Sequence, residues 1–197
     1  MRTGLIVLAA IAIIIIGGFA WGVGVNNDLV RSEQVVNEKW AQVQNVYQRR
    51  ADLIPNLVET VKGFAAQERT VLEEVTQARA SVAGIKATPE LINDPQAFQK
   101  FQQAQAQLGG ALSRLLVTVE RYPDLKSNQN FLSLQSQLEG TENRIAVERM
   151  RYNEAVRDYN TRLKIFPSSL VASFRGFKDK AFFEATPGSA EPPKVKF

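Results

Sequence analysis

A single proline, Pro55, sits inside the run "QRRADLIPNLVETVKGF" (Gln48 to Phe64), whose apolar residues otherwise recur at helical spacing. Within a helix, proline removes one backbone hydrogen bond and presses its ring on the carbonyl four residues back, costing ~3 kcal/mol. Either a long helix continues through it or one helix stops and another begins. A helix running on over residues 28–85 would make a rod about 85 Å long at the helical rise. The helices that follow are too short to cover its apolar stripe. If the chain instead reverses near Ala51 to Pro55, the lengths match. Asp52 then caps the second helix, and Pro55 falls in its first turn, where a missing N–H matters least. Burial favours a reversal between Arg50 and Asn56.

The four segments that result each carry an apolar stripe at spacings of three and four. The first has Leu29, Val36, Trp40, Val43 and Tyr47, with Asn27 or Asp28 as N-cap. The second has Leu57, Val61, Phe64, Val71, Leu72, Val75, Val82 and Ile85, ending near Gly84. "KATPELINDPQAF" then breaks the chain, and Asp94 before Pro95 gives a cap and a first-turn proline in the expected order. The third stripe runs from Phe98 to Tyr122 and stops before Pro123. The fourth opens at Ser127 or Asn128 and repeats every seven residues through Phe131, Leu138, Ile145, Tyr152 and Tyr159. Glu68, Gln105 and Glu148 interrupt these stripes, either as buried polar layers that fix register or, the favoured reading, as exposed edge positions. The expected fold is all-α, an N-terminal transmembrane helix followed by an antiparallel up-and-down four-helix bundle.

From Gly4 to Val25 no residue is charged, and about 20 apolar residues suffice to span a bilayer as a helix. Trp21 falls near the far interface, where its amphipathic ring is favoured. A cleaved signal peptide with "GFA" as its processing site is the rival reading. The apolar run is too long for a signal core and continues past that site, which favours an uncleaved anchor. Gly18 and Gly22 form a GxxxG that could bring two anchors together, although glycine is common in membrane helices. The expected division is 1–25 anchor, 26–166 bundle and 167–197 a short aromatic and basic helix with an extended tail. Arg2 opposes Arg31 and Lys39 across the run, nearly a tie under the positive-inside rule.

The chain has no cysteine and no histidine, which removes disulfides, thiolate nucleophiles, imidazole bases and the usual zinc sites. Its net charge of +4 is too mild to argue for nucleic acid. No cofactor is expected. A carboxylate metal site in the bundle is a remote alternative, with Glu59, Glu68, Glu73 and Glu148 as ligands, but ferritin-like sites add histidines. The expectation is a protein without catalysis of its own.

Four alternating helices return the chain to the membrane side, where the sequence turns aromatic and basic. Phe174, Arg175, Phe177, Lys178, Lys180, Phe182, Phe183 and the distant Phe197 make a candidate interaction surface for lipid headgroups or a partner. The competing reading, of similar weight, has the phenylalanines plug the open end of the bundle while the cations stay solvated. A basic cluster beside the membrane favours a cytoplasmic bundle facing anionic lipid. Arg49, Arg50, Asp52, Pro55, Asn56 and Glu59 form a polar group at the expected first corner. A structural role in capping and ion pairing is favoured over partner binding there.

The chain resembles the LemA family. The resemblance rests on "NEKWAQVQNVYQRRADLIPNLVETVKGFAAQE", "RYNEAVRDYNTRLKIFPSSLVASFRGF" and "FFEATPGSAEPPKVKF", together with the short membrane segment, and covers essentially the whole chain. It implies a membrane-anchored antiparallel helical bundle, short N-terminus outside and bulk inside, and supplies no enzymatic mechanism. The expected role is therefore a single-pass cell-membrane protein that acts as an interaction or scaffold module, contacts lipid, self-associates and can bind a membrane protein. An adaptor for a membrane protease or envelope-stress system is the alternative.

Overall fold

The computed structural model describes residues 2–184, and among them there is no strand. Its first element, α1, runs without interruption from Arg2 to Phe64 and includes Pro55. The reversal expected between Arg50 and Asn56 is therefore corrected: the chain turns at residues 65–68 instead. Neither Asn27 nor Asp28 caps a helix, because α1 passes through them, and Asp52 accepts from Gln48 one turn back (2.7 Å) rather than capping.

Two features explain why α1 survives its proline. Pro55 leaves the Ala51 carbonyl without its helical donor, and the Nε–H of Arg79, from the next helix, donates to that oxygen at 3.1 Å. The buried stripe also never breaks, although Arg50 is one of its members. Val36, Trp40, Val43, Tyr47, Arg50, Ile54, Leu57 and Val61 alternate steps of four and three, and all are buried. One face of α1 thus stays in the core on both sides of Pro55, whose ring lies exposed.

The turn leads to α2 (Arg69–Ala83), a 3-10 turn (Pro89–Asn93), α3 (Pro95–Val119), the short α4 (Pro123–Lys126), α5 (Gln129–Lys164) and α6 (Ser168–Arg175). Asp94 caps α3 as expected, and of Ser127 and Asn128, the two residues expected to open the fourth helix, Asn128 caps α5. Asp94 accepts from the N–H groups of Gln96 and Ala97 (2.9 and 3.1 Å), and Asn128 from those of Asn130 and Phe131 (3.0 and 3.2 Å). From Trp40–Tyr152 to Arg50–Glu142 the contacts move ten residues forward on α1 and ten back on α5. Short connections reverse the chain between α1, α2 and α3, and cross-helix bonds join the neighbours. Arg50 meets Glu142 on α5, Ala51 meets Arg79 on α2, and Arg114 on α3 meets Glu74 on α2 (2.9 Å). Each pair is antiparallel, and α1 beyond Asn26, α2, α3 and α5 form an up-and-down bundle with its first turn later than expected.

The core falls into two clusters. The distal one gathers Ile54, Leu57, Val61, Leu72, Val75, Leu108, Leu115 and Phe131. The one nearer the apolar segment is aromatic, with Trp40 against Phe98 (5.7 Å), Phe101 (5.6 Å) and Tyr152 (5.6 Å). Between them lies a polar layer. Arg50, only 3 % exposed, donates to Glu142 at 2.8 Å and to the Gln105 side chain, and its guanidinium lies 5.2 Å from the centre of the Tyr47 ring. Gln105 is buried, so the expectation that it is an edge position is corrected. Glu68 and Glu148 lie partly exposed. Glu68 accepts from Tyr122 (2.6 Å) and Arg121 (3.2 Å), and Glu148 from Arg151 (2.7 Å).

Candidate functional site: the strap, the cleft and the helix beside the apolar segment

Gly176 ends α6 in the left-handed conformation (φ 74°), where its missing side chain avoids strain, and turns the chain back along the bundle. Residues 177–184 then lie as a strap across α3, α5 and the 3-10 turn. Side-chain amides hold its backbone. Asn160 donates to the Lys180 carbonyl and accepts from its N–H, both at 2.9 Å. Asn153 does the same for Phe183, again at 2.9 Å each. The Tyr152 hydroxyl donates to the Ala181 carbonyl (2.8 Å), and Gln102 accepts from the Glu184 N–H (3.0 Å).

Two strap side chains point inward. Lys180 is buried and donates to Glu33 (2.5 Å) and Asn93 (2.6 Å), with its ammonium 5.6 Å from the Tyr159 ring centre. Phe183 enters the aromatic cluster, 4.8 Å from Phe98 and 5.4 Å from Tyr152, with the Arg149 guanidinium 4.6 Å over its outer face. Both belong to the interior of this chain rather than to a presented surface, and Phe177 is half-buried against the same cluster. Of the other residues expected to form that surface, Phe174, Arg175, Lys178 and Phe182 are exposed, and Phe197 lies outside the described residues. The plug reading therefore describes Phe183 and, in part, Phe177. The solvated-cation half of that reading fails for Lys180.

The polar group around Pro55 forms no corner. Arg49, Asp52, Pro55, Asn56 and Glu59 lie along the exposed side of α1, Glu59 pairing with Lys62 (3.6 Å), while Arg50 points into the core. Beside Arg50 a cleft of about 320 Å³ opens between α1, α3, α5 and the strap, lined by Tyr47, Gln99, Gln102, Gln103, Glu142 and Arg149 among others. Burial pushes the Tyr47, Tyr152 and Tyr159 phenols above the ordinary tyrosine range; for Tyr47 the nearby Arg149 and Arg50 oppose that shift. The cleft offers hydrogen bonds and charge. No cluster of metal-ligating side chains occurs among the described residues.

At the other end of the bundle, α6 packs beside the end of the apolar segment of α1, and the Arg175 Nε–H donates to Asn26 at 3.0 Å. A groove of about 580 Å³ separates the two helices. The apolar part of α1 is long and hydrophobic enough to cross a membrane.

The sequence model of the LemA family matches residues 39–197. The chain belongs to the LemA family. Two proteins of Paramagnetospirillum magneticum, magnetosome proteins MamQ 1 and MamQ 2, are each 27 % identical over 182 residues, covering 84 % of this chain and 67 % of theirs. The magnetosome protein MamQ of Magnetospirillum gryphiswaldense is similar to the same extent.

Sequence reasoning missed several residues that build the site in this LemA-family chain. Asn153 and Asn160 stand seven apart on α5, the period of its apolar repeat, and that spacing was the one available sign that both face one partner. Gln102 and Glu142 carried no such sign, because their partners lie far away in the chain.

Proposed function

We propose that this LemA-family protein is a membrane-tethered interaction module that presents its bundle on the cytoplasmic side, self-associates, and carries out no catalysis of its own. The observation that carries this reading is the unbroken α1, in which candidate membrane span and bundle are one helix. A bundle joined to its anchor without a linker holds any partner at a fixed height and orientation, which is the property a scaffold needs and a freely tethered enzyme does not. Exposed apolar side chains on the bundle, Val117 on α3 and Met150 on α5, offer contact points.

The chain lacks cysteine, so single cysteines introduced at Val117 and Met150 report cleanly in intact membranes. Crosslinking is expected to give a discrete dimer or higher species from one of the two positions. Crosslinks to other membrane proteins alone would favour the adaptor reading. No adduct from either position, or from labels placed around the rest of α3 and α5, would refute the interaction role. A membrane-impermeant maleimide should reach a cysteine at Gln67 only after the cells are opened.

A further inference from the structure

The groove between α6 and the end of the apolar segment is lined by Gly18, Gly22 and Val23 on one side and Leu170, Val171 and Phe174 on the other. Its floor is open, since a Cβ built on Gly18 or Gly22 would meet nothing within 4 Å. Its depth is fixed by the chain. Gly18 lies seven residues before Val25, so the groove reaches about 10 Å below the end of the apolar run at the helical rise. If that run crosses a bilayer, α6 cannot stand in bulk water, because it is packed against the part of the span that is inside.

The exposed side chains of this region agree with that placement. Phe166 (79 % exposed), Leu170 (61 %) and Phe174 (90 %) are apolar groups with no cover among the described residues. Exposed basic residues flank them, Arg162 before α6 and Arg175 and Lys178 after its middle, while Lys164 is neutralised by Asp179 at 2.8 Å. An apolar face edged by cations is the signature of a helix lying in the headgroup boundary of an anionic membrane.

We infer that α6 is an in-plane membrane helix, and that the groove between it and the span seats one acyl chain of an anionic glycerophospholipid whose phosphate pairs with Arg175. This rests on the reading that residues 4–25 cross a membrane. The lipid is the chosen occupant because the groove is continuous with the span and because Arg175, held by Asn26, stands at its polar end.

The test uses the full chain in phosphatidylcholine vesicles containing a minority of phosphatidylglycerol, with a fluorophore on a single cysteine at Ile13, Phe166 or Gln67. Acyl-brominated lipid is expected to quench the labels at Ile13 and Phe166 and to leave the one at Gln67 unchanged. Quenching at Ile13 without quenching at Phe166 would overturn the inference alone; no quenching at Ile13 would remove the membrane-spanning reading as well. With bromines only on the phosphatidylglycerol, quenching at Phe166 should exceed, by about twofold, that from an equal amount of brominated phosphatidylcholine. Arg175→Gln should abolish this excess, and Gly22→Leu, which fills the groove, should do so too with the Gln67 signal unaltered. Equal quenching by both lipids in the unmodified chain would overturn the anionic site. Efficient disulfide formation between copies bearing Gly18→Cys would also overturn it, since a second anchor would then occupy the groove.

Discussion

The bond from Arg79 to the Ala51 carbonyl is a replacement for the one that Pro55 removes, and it can be measured as such. A hydrogen bond from a charged group is worth about 1.5–3 kcal/mol. Arg79 is only half-buried and water can reach the freed carbonyl, so Arg79→Ala should cost about 1–2 kcal/mol. Pro55→Ala restores an N–H aimed at the same oxygen and removes the ring clash. Part of the ~3 kcal/mol penalty of an interior proline should return, giving a stabilisation of about 1–2 kcal/mol. With Ala at 55, the carbonyl no longer needs Arg79, and Arg79→Ala should then cost only a few tenths of a kcal/mol, leaving a coupling of about 1 kcal/mol in the double-mutant cycle. The assay is urea unfolding of residues 26–197 followed by far-ultraviolet circular dichroism. Strict additivity, with a coupling within about 0.3 kcal/mol of zero, would refute the idea that α2 supports α1 across its proline.

Residues 26–197 should themselves fold without the apolar segment, since the buried core residues begin at Leu29; a non-cooperative melt would contradict this. In the polar layer, Glu142→Ala leaves a charged Arg50 buried beside Gln105 and should cost about 2–4 kcal/mol, whereas Arg50→Met should cost less because the half-exposed Glu142 returns to water. The reverse order in chemical denaturation would show that the layer is not held by compensation of Arg50. Phe183→Ala should lose about 3–5 kcal/mol, and Phe174→Ser in the anchorless chain should stay within about 0.5 kcal/mol of the parent; equal effects would mean that the strap is not part of the core. Burial raises the Tyr152 and Tyr159 phenols, so unfolded tyrosines ionise first as pH rises. Their contribution is intact below about pH 10 and should then fall by about 1.4 kcal/mol per pH unit for each. Phenolate absorbance from both at that pH, with full helicity retained, would sink this account.

The helical class, the two caps at Asp94 and Asn128, the seven-residue repeat of α5 and the apolar segment were all legible, because each is a signal between residues close in sequence. Pro55 was misread because its compensation comes from Arg79, 28 positions later, where no local pattern points. Arg50 deepened the error. It occupies a core position of the α1 stripe, so a continuous repeat looks broken at the very place where a proline also suggests a break. The strap was half visible. Its aromatic content showed, but the choice of Lys180 and Phe183 as inward side chains depends on Glu33, Asn93, Asn153 and Asn160, which the fold assembles from three separate elements. The groove between α6 and the apolar segment could not be read at all, since it needs residues far apart in the chain.

Because α1 has no joint between the apolar segment and the bundle, an apolar segment embedded in lipid, as proposed above, would make the helix a lever with its short arm in the bilayer. From Asn26 to Phe64 the long arm measures about 57 Å at the helical rise. Spans accommodate changes in bilayer thickness by tilting, and a change of about 10° would sweep the distal turn sideways by about 10 Å over that arm. The turn at 65–68, the first expected site of reversal displaced outward by the continuity of α1, would then be the point of greatest travel. So anchored, the chain would convert the thickness of its membrane into the position of its far end.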